Sequence, residues 1–220
     1  MRNAHSHVLP RLLTILAAVL IWKVTLSVLV GYRNYVPPNF DSDFLLGRES
    51  YFWGPYRWAF YTHLVSGPVA LLLGTILISE RFRKVAPAWH RRLGRVQAAN
   101  ILLLVAPSGL WMSYYAATGA IAAAGLGSLA IATAVCVMLG VRAAVQRRFA
   151  SHQLWMWRTF LLLCSAVVIR MMGGLAEVTQ YDAPWVYPFS TWASWLGPLV
   201  IFEAIRLFKS LKEVGTLRVP

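Results

Sequence analysis

The stretch IAAAGLGSLAIATAVCVMLGV, residues 121–141, runs for 21 positions without one charged side chain. At a rise of about 1.5 Å per residue, a helix of this length crosses the roughly 30 Å hydrocarbon core of a bilayer. Its small residues recur at every fourth position, the spacing that lets two membrane helices approach each other closely. This ridge consists of Ala124, Ser128, Ala132, Cys136 and Gly140. The stretch therefore predicts a transmembrane helix packed tightly against a neighbouring helix.

Five further apolar stretches are long enough to do the same, so the chain is predicted to be an all-α, polytopic transmembrane helix bundle. Charged residues make up only 13% of the 220 positions, about half the share usual in soluble domains. We expect one integral-membrane domain, 1–220. The predicted spans cover residues 12–30, 58–79, 93–115, 121–145, 154–172 and 192–208.

Lys and Arg are distributed very unevenly between the connecting segments. With the N-terminus in the cytoplasm, 16 of the 21 fall on the inner side, 4 on the outer side, and Lys23 lies within the first span. The densest inner group is RFRKVAPAWHRRLGR, residues 81–95. The positive-inside rule then predicts six spans, both termini cytoplasmic, in a multi-pass protein of the cell's inner (plasma) membrane. The net charge of +13 needs no nucleic-acid partner on this interpretation; the partner is the lipid bilayer.

The long outer segment, residues 32–57, is rich in aromatic side chains and proline. Aromatic residues that anchor the protein at the membrane interface account for many of these positions. A lid over an outward-facing site is the alternative interpretation. The sequence leaves the role of the segment open.

Two histidines fall at the predicted inner ends of spans. His90 begins the third span and His152 begins the fifth. Two imidazoles from two helices on one level are the minimum for bis-histidine ligation of haem iron, and nearby arginines suit propionate carboxylates. Histidines that face lipid phosphates are the alternative. We therefore expect an inner haem b site with His90 and His152 as iron ligands and Arg95 or Arg158 on the propionates.

A second group of polar residues falls at the predicted outer side. His63 lies on one helical stripe above Gly67, Ala70 and Gly74, which leaves room for a flat ligand or for a neighbouring helix. Arg170 lies eighteen residues after the inner histidine of the fifth span, five full turns or roughly 27 Å along the same face. These observations predict an outer polar site for a quinone or another electron carrier. Its residues are His63, Arg170 and Tyr115.

Several short motifs carry a resemblance to a known family. GPVALLLG follows shortly after His63, RFRK and HRRLGR mark the inner loop, and HQLWMWRTF opens the stretch that ends at Arg170. Over residues 59–173 the chain resembles an uncharacterised bacterial membrane family, domain of unknown function 2306. The resemblance implies a multi-helix membrane bundle and no settled activity.

A weaker, topological likeness is to the 561-type di-haem cytochromes b. Those proteins have four ligand histidines on four successive helices. His63, His90 and His152 match three of those roles, and the outer end of the fourth span has no histidine. The likeness therefore supports at most the inner haem.

Three functions are left open by the sequence. The first is a membrane redox protein that transfers electrons through haem b. The alternative is a small-molecule or ion permease, or a structural or sensing subunit, with a polar cavity lined by His and Arg. A metal-dependent hydrolase built on His63, His90 and His152 ranks last because the first lies at a different depth from the other two. No catalytic residue is assigned, and association with like or unlike subunits stays open.

Overall fold

The computed structural model of the chain describes residues 5–42, 44–181 and 183–216. Within these residues the chain forms seven helices, and it divides into two compact units, residues 1–112 and 113–220, which are described separately below. The helices are α1 (His5–Gly31), α2 (Glu49–Leu77), α3 (Glu80–Val85), α4 (Pro87–Tyr114), α5 (Ala120–Val145), α6 (Phe149–Val178) and α7 (Val186–Thr216).

Five of the described helices are long and apolar enough to cross a membrane: α1, α2, α4, α5 and α6. The predicted polytopic, all-helical membrane fold is thereby confirmed. The sixth predicted span, 192–208, is helical within α7, but α7 is not one of these five because charged residues such as Glu203 and Arg206 interrupt its apolar run. The sixth span and the cytoplasmic placement of both termini stay predictions.

In the first unit, Pro68 determines how α1 is joined to α2. Proline has no N–H, so the carbonyl of Leu64, one turn earlier, loses its usual helical donor. Tyr32, directly after α1, donates its hydroxyl to this carbonyl. An unpaired carbonyl in hydrocarbon costs several kcal/mol, so this contact both satisfies Leu64 and ties the end of α1 to α2.

The segment predicted as a long outer loop, residues 32–57, is a packed cap with its own core. Leu45 and Phe52 are completely buried. Arg48 is enclosed as well, with Nε donating to the carbonyl of Phe44 at 2.6 Å and the guanidinium 4.8 Å from the ring of that residue. The aromatic side chains thus pack against one another and around a cation, a role that interfacial anchoring alone would not give them.

The basic segment, residues 81–95, lies in α3 and in the first turns of α4. Ser79 caps α3 by accepting a hydrogen bond of 3.3 Å from a backbone N–H of the first turn. The helix α4 then begins at Pro87, where a missing N–H has no cost. Lys84 lies 2.8 Å from Glu80, and its hydrogen bond and charge hold the pKa of that carboxyl below its usual value.

A π-helical turn at Ile101–Val105 interrupts α4. Two residues later comes Pro107, whose ring would clash with the carbonyl four residues before it in a regular helix. The wider turn accommodates the proline. Ser108 donates its hydroxyl to the carbonyl of Leu104, which adds a hydrogen bond to the disturbed region.

In the second unit, α5, α6 and α7 pack against one another, and two glycines set how closely they approach. A Cβ atom at Gly125 would lie 2.6 Å from Oγ1 of Thr191 in α7. A Cβ atom at Gly140 would lie 3.3 Å from Cβ of Trp155 in α6. Both distances are shorter than ordinary van der Waals contact, so only glycine fits without displacement of a neighbour.

The small-residue ridge predicted on α5 is confirmed in part. Cys136 and Gly140 are buried, and the former belongs to a core cluster with Leu162 and Trp195. Ala124, at the start of the predicted ridge, is exposed. The contacting face of α5 is therefore rotated slightly from the predicted one at its N-terminal end.

The turn between α5 and α6 has an unusual residue at its centre. The N–H of Arg148 bonds to the carbonyl of Ala143 at 2.9 Å and that of Arg147 to the carbonyl of Ala144 at 3.0 Å, the pattern of a Schellman motif. The motif needs a left-handed residue, usually glycine. Here that residue is Arg147, at φ 58°. The backbone is strained there, because a side chain beyond Cα disfavours this conformation.

Candidate functional site

The site begins with a histidine at the junction of α5 and α6. His152 lies in the first turn of α6, half-buried, and its Nδ1 is 2.9 Å from the carbonyl oxygen of Gly140. A carbonyl can only accept, so Nδ1 carries the proton and donates it. In the neutral imidazole the lone pair is then on Nε2. The structure thus fixes both the tautomer and the direction of the ring.

This hydrogen bond depends on the glycine that accepts it. Because Gly140 has no side chain, α6 lies close enough for the ring of His152 to reach the backbone of α5. A Cβ atom at Gly140 would also come within 2.1 Å of Cε of Met156. The predicted ridge had marked this glycine as a packing residue. Its role as hydrogen-bond acceptor could not be inferred from spacing.

Arg158, predicted to pair with a haem propionate, is already in an ion pair. Its Nε lies 2.7 Å from Oε1 of Glu203 on α7, and Arg206 binds the other carboxylate oxygen at 2.7 Å. The guanidinium of Arg158 also lies over the ring of Trp155, 4.3 Å from its centroid. A propionate would have to compete with Glu203 for this guanidinium. The sequence did not predict this ion pair.

His63 on α2, in the first unit, has a similarly fixed ring. Its Nδ1 lies 3.0 Å from Oγ of Ser108. The single proton of that hydroxyl is donated to the carbonyl of Leu104, so the hydroxyl accepts from Nδ1–H of His63. The lone pair of the neutral ring is then on Nε2, beside Gly67, where an added Cβ would be 3.9 Å away.

Polar side chains continue along the α2–α4 contact below this histidine. Nε2 of Gln97 donates to the carbonyl of Ala70 at 2.7 Å, and Nδ2 of Asn100 donates to that of Ser66 at 3.1 Å. Oε1 of Gln97 and Oγ of Ser66 are buried and have no hydrogen-bond partner among the described residues. Two unpaired oxygens at one buried contact between membrane helices are costly unless water or a ligand reaches them.

The remaining predicted site residues are His90, Arg95, Arg170 and Tyr115. His90, in the first turn of α4, is half-buried, and its ring centroid is 6.4 Å from that of Phe82. Arg95 is exposed and donates from Nε to a backbone carbonyl at 3.3 Å. Arg170 is exposed and donates to a carbonyl one turn earlier at 2.8 Å. Tyr115 has its ring centroid 5.2 Å from that of its chain neighbour.

The predicted sites combine residues from both units. His63, His90 and Arg95 belong to the first unit. His152, with the other predicted residues of both sites, belongs to the second. The inner and outer groupings therefore stay predictions. The described part of the chain has no cluster of three or more His, Cys, Asp or Glu side chains that could hold a metal ion. A haem iron held by two histidines needs no such cluster, so this finding does not test the haem prediction.

Comparison with known proteins gives one match. A family model described as "Predicted membrane protein (DUF2306)" matches residues 60–205. The match extends past the predicted family-like region, 59–173, and takes in most of α7. No curated protein and no solved structure matches the chain, and the likeness to 561-type cytochromes b has no support from these comparisons.

Proposed function

The chain belongs to the DUF2306 family of predicted membrane proteins, and on that premise we propose that it is an electron-transfer protein of the bacterial inner membrane that binds haem b. His152 and His90 would hold the iron of the haem. The protein is embedded in the lipid bilayer through several apolar helices, so both ligands would come from helices that cross or border the membrane. When bound, the haem supplies one-electron chemistry.

The observation that carries the proposal is the hydrogen bond between Nδ1 of His152 and the carbonyl of Gly140, 2.9 Å long. Histidines that bind metals almost always donate their second ring N–H to a carbonyl or carboxylate, which fixes the ring and raises the basicity of the ligating nitrogen. The geometry of His152 has both properties. A histidine that only faced lipid phosphates would have no need of a protonated Nδ1 turned toward the protein.

The two arginines predicted to contact a haem propionate, Arg95 and Arg158, differ in how well they suit that role. Arg95 is exposed, with its terminal nitrogens turned to no described acceptor, and so suits a propionate. Arg158 is held by Glu203 at 2.7 Å and suits it less well. We therefore assign the propionate contact to Arg95 in preference to Arg158.

At the outer site, His63, Arg170 and Tyr115 would bind a quinol or a related carrier. Because Nδ1 of His63 is protonated and donates to Ser108, Nε2 is the atom that would take a proton from a quinol hydroxyl.

The test is an optical spectrum of protein purified after expression with ample haem. We expect a Soret band and a reduced α-band, with a haem b pyridine haemochrome. Both bands should be lost in His152→Ala and in His90→Ala, whereas His63→Ala, the matched control, should keep them. Absence of a Soret band in the parent protein, or bands unaffected by His152→Ala, would overturn the proposal.

A second candidate, a small-molecule or ion permease, is favoured by a different observation. The α2–α4 contact buries two oxygens, Oε1 of Gln97 and Oγ of Ser66, that lack partners among the described residues. A water-filled path beside them would satisfy both. Proteoliposomes loaded with a pH dye would report proton flux. If the protein is a permease, we expect a proton flux that decreases in the variant Gln97→Leu. A flux no greater than that of empty liposomes would contradict this function.

A further inference from the structure

The first helix, α1, presents two very different faces. One face packs into the first unit through Ile21 and Thr25, which are 8% and 5% exposed. The opposite face is a row of side chains spaced by alternating steps of four and three residues, which we name the α1 seam. Its members are Leu12, Leu16, Val19, Lys23, Leu26 and Val30.

The spacing of the seam is that of the a and d positions of a heptad repeat, with which helices pack knobs-into-holes. The five apolar members are each 55–63% exposed. Apolar side chains at such a surface are ordinary in a membrane helix, because lipid covers them as well as protein would. The feature that lipid does not explain is Lys23, an exposed cation at an a position.

Lys23 lies deep in the apolar span. It is eleven residues after Leu12 and seven before Val30, or roughly 17 Å and 11 Å along the helix axis. A lysine side chain extends roughly 6 Å, and its Cα–Cβ bond tilts toward the helix N-terminus, here the more distant end. Its ammonium group therefore stays in the hydrocarbon layer, and an intramembrane charge generally pairs with another polar group of the protein.

Within the described residues, no hydrogen bond or ion pair to Lys23 is found, so the charge has no partner in that part of the chain. A second copy does not supply one. Two α1 helices that paired in parallel would place Lys23 opposite Lys23, with repulsion. Glu203 directly follows an apolar stretch of α7. Its carboxylate already binds two arginines at 2.7 Å each.

We propose that the α1 seam is an interface for the transmembrane helix of a different protein, and that this helix carries an Asp or Glu at mid-depth opposite Lys23. The apolar seam members supply the close packing. The buried ion pair fixes the register and selects an acidic partner over an apolar one, as a single polar a position does in coiled coils. The proposal is independent of haem binding, since α1 contributes no ligand to the proposed site.

The test uses the full chain in lipid nanodiscs, labelled at its N-terminus with a donor dye. The probes are synthetic transmembrane peptides of a Leu/Ala host with one Asp, or Leu in its place, at the centre, labelled with an acceptor. Energy transfer is measured as peptide is added. We expect the Asp peptide to associate at least tenfold more tightly than the Leu peptide.

The variants identify the cause. Lys23→Leu should abolish the preference for Asp, and Lys23→Arg should retain it because the charge is kept. Trp22→Leu, an exposed neighbour off the seam, is the matched control and should change neither. Equal binding of the two peptides, or a preference that survives Lys23→Leu, would overturn the proposal. The proposal would also be overturned if differently labelled copies of the chain showed energy transfer that is lost in Lys23→Leu. The occupant of the seam would then be a second copy.

Discussion

The contact at Gly125 predicts a loss of stability from a single added methyl group in the second unit. In Gly125→Ala the new Cβ would lie 2.6 Å from Oγ1 of Thr191 and 3.0 Å from Nε1 of Trp192. Ordinary contact begins near 3.4 Å, so the hydroxyl must move by about 0.8 Å. Thr191 is completely buried, and its Oγ1 donates to a carbonyl of its own helix at 2.7 Å, so a rotamer change does not relieve the overlap.

The cost follows from three contributions. Overpacking of a well-packed contact costs about 1–3 kcal/mol. Separation of α5 and α7 also weakens the 3.0 Å hydrogen bond from Trp192 to the carbonyl of Ile121, a loss of about 1 kcal/mol. The greater helix propensity of alanine returns about 1 kcal/mol. The expected net loss of stability is therefore about 1–3 kcal/mol.

Equilibrium unfolding of the purified protein in mixed micelles, followed by tryptophan fluorescence, measures this change. The matched control is Gly174→Ala, also helical and in the same unit, where an added Cβ has nothing within 4 Å. The control should be as stable as the parent or slightly more so. If Gly125→Ala proved as stable as Gly174→Ala, the close approach of α5 to α7 would be refuted.

Three further substitutions test other contacts. Arg147→Gly removes the left-handed strain of the α5–α6 turn and should stabilise the protein by about 0.5–1 kcal/mol in the same unfolding assay; a loss of stability would contradict the Schellman geometry. Glu203→Gln leaves Arg158, 19% exposed, without its counter-charge and should cost about 1–3 kcal/mol, whereas a change under about 0.5 kcal/mol would mean that the pair is solvated. Ser108→Ala removes the acceptor of His63, so the ¹⁵N imidazole spectrum should change from a pure Nδ1–H tautomer to a mixture; an unchanged spectrum would show that another group fixes the ring.

The helices themselves could be predicted from the sequence because their cause is local. A bilayer forces each apolar run of some twenty residues to satisfy its own backbone, so the runs near residues 12–30 and 121–145 had to be helical. The same argument does not decide whether residues 192–208 span the membrane. There Glu203 and Arg206 lower the mean hydropathy, and whether the segment spans depends on neighbours that neutralise those charges.

The internal geometry of the site depends on contacts between helices, and spacing along one helix does not determine them. Periodicity placed His152 at the start of its helix, yet its hydrogen bond to Gly140 requires the turn at Arg147 to bring α6 back against α5. The same limit applies to Arg158, because its ion pair with Glu203 joins α6 to α7 and spacing along one helix does not predict it. A proline such as Pro107 disturbs a helix, but a π turn and a kink are equally compatible with it, so the residue type does not tell which one α4 adopts.

The π-helical turn at Ile101–Val105 bears on how the family's sequences should be aligned. Such a turn holds roughly one residue more than the α-helix that covers the same height. Deleting one residue there would restore a regular helix and keep Ser108 facing His63, whereas deleting one residue elsewhere between Gln97 and Ser108 would rotate Ser108 by about 100° relative to Gln97. A one-residue gap between Gln97 and Ser108 in an alignment of the family is therefore best placed at this turn.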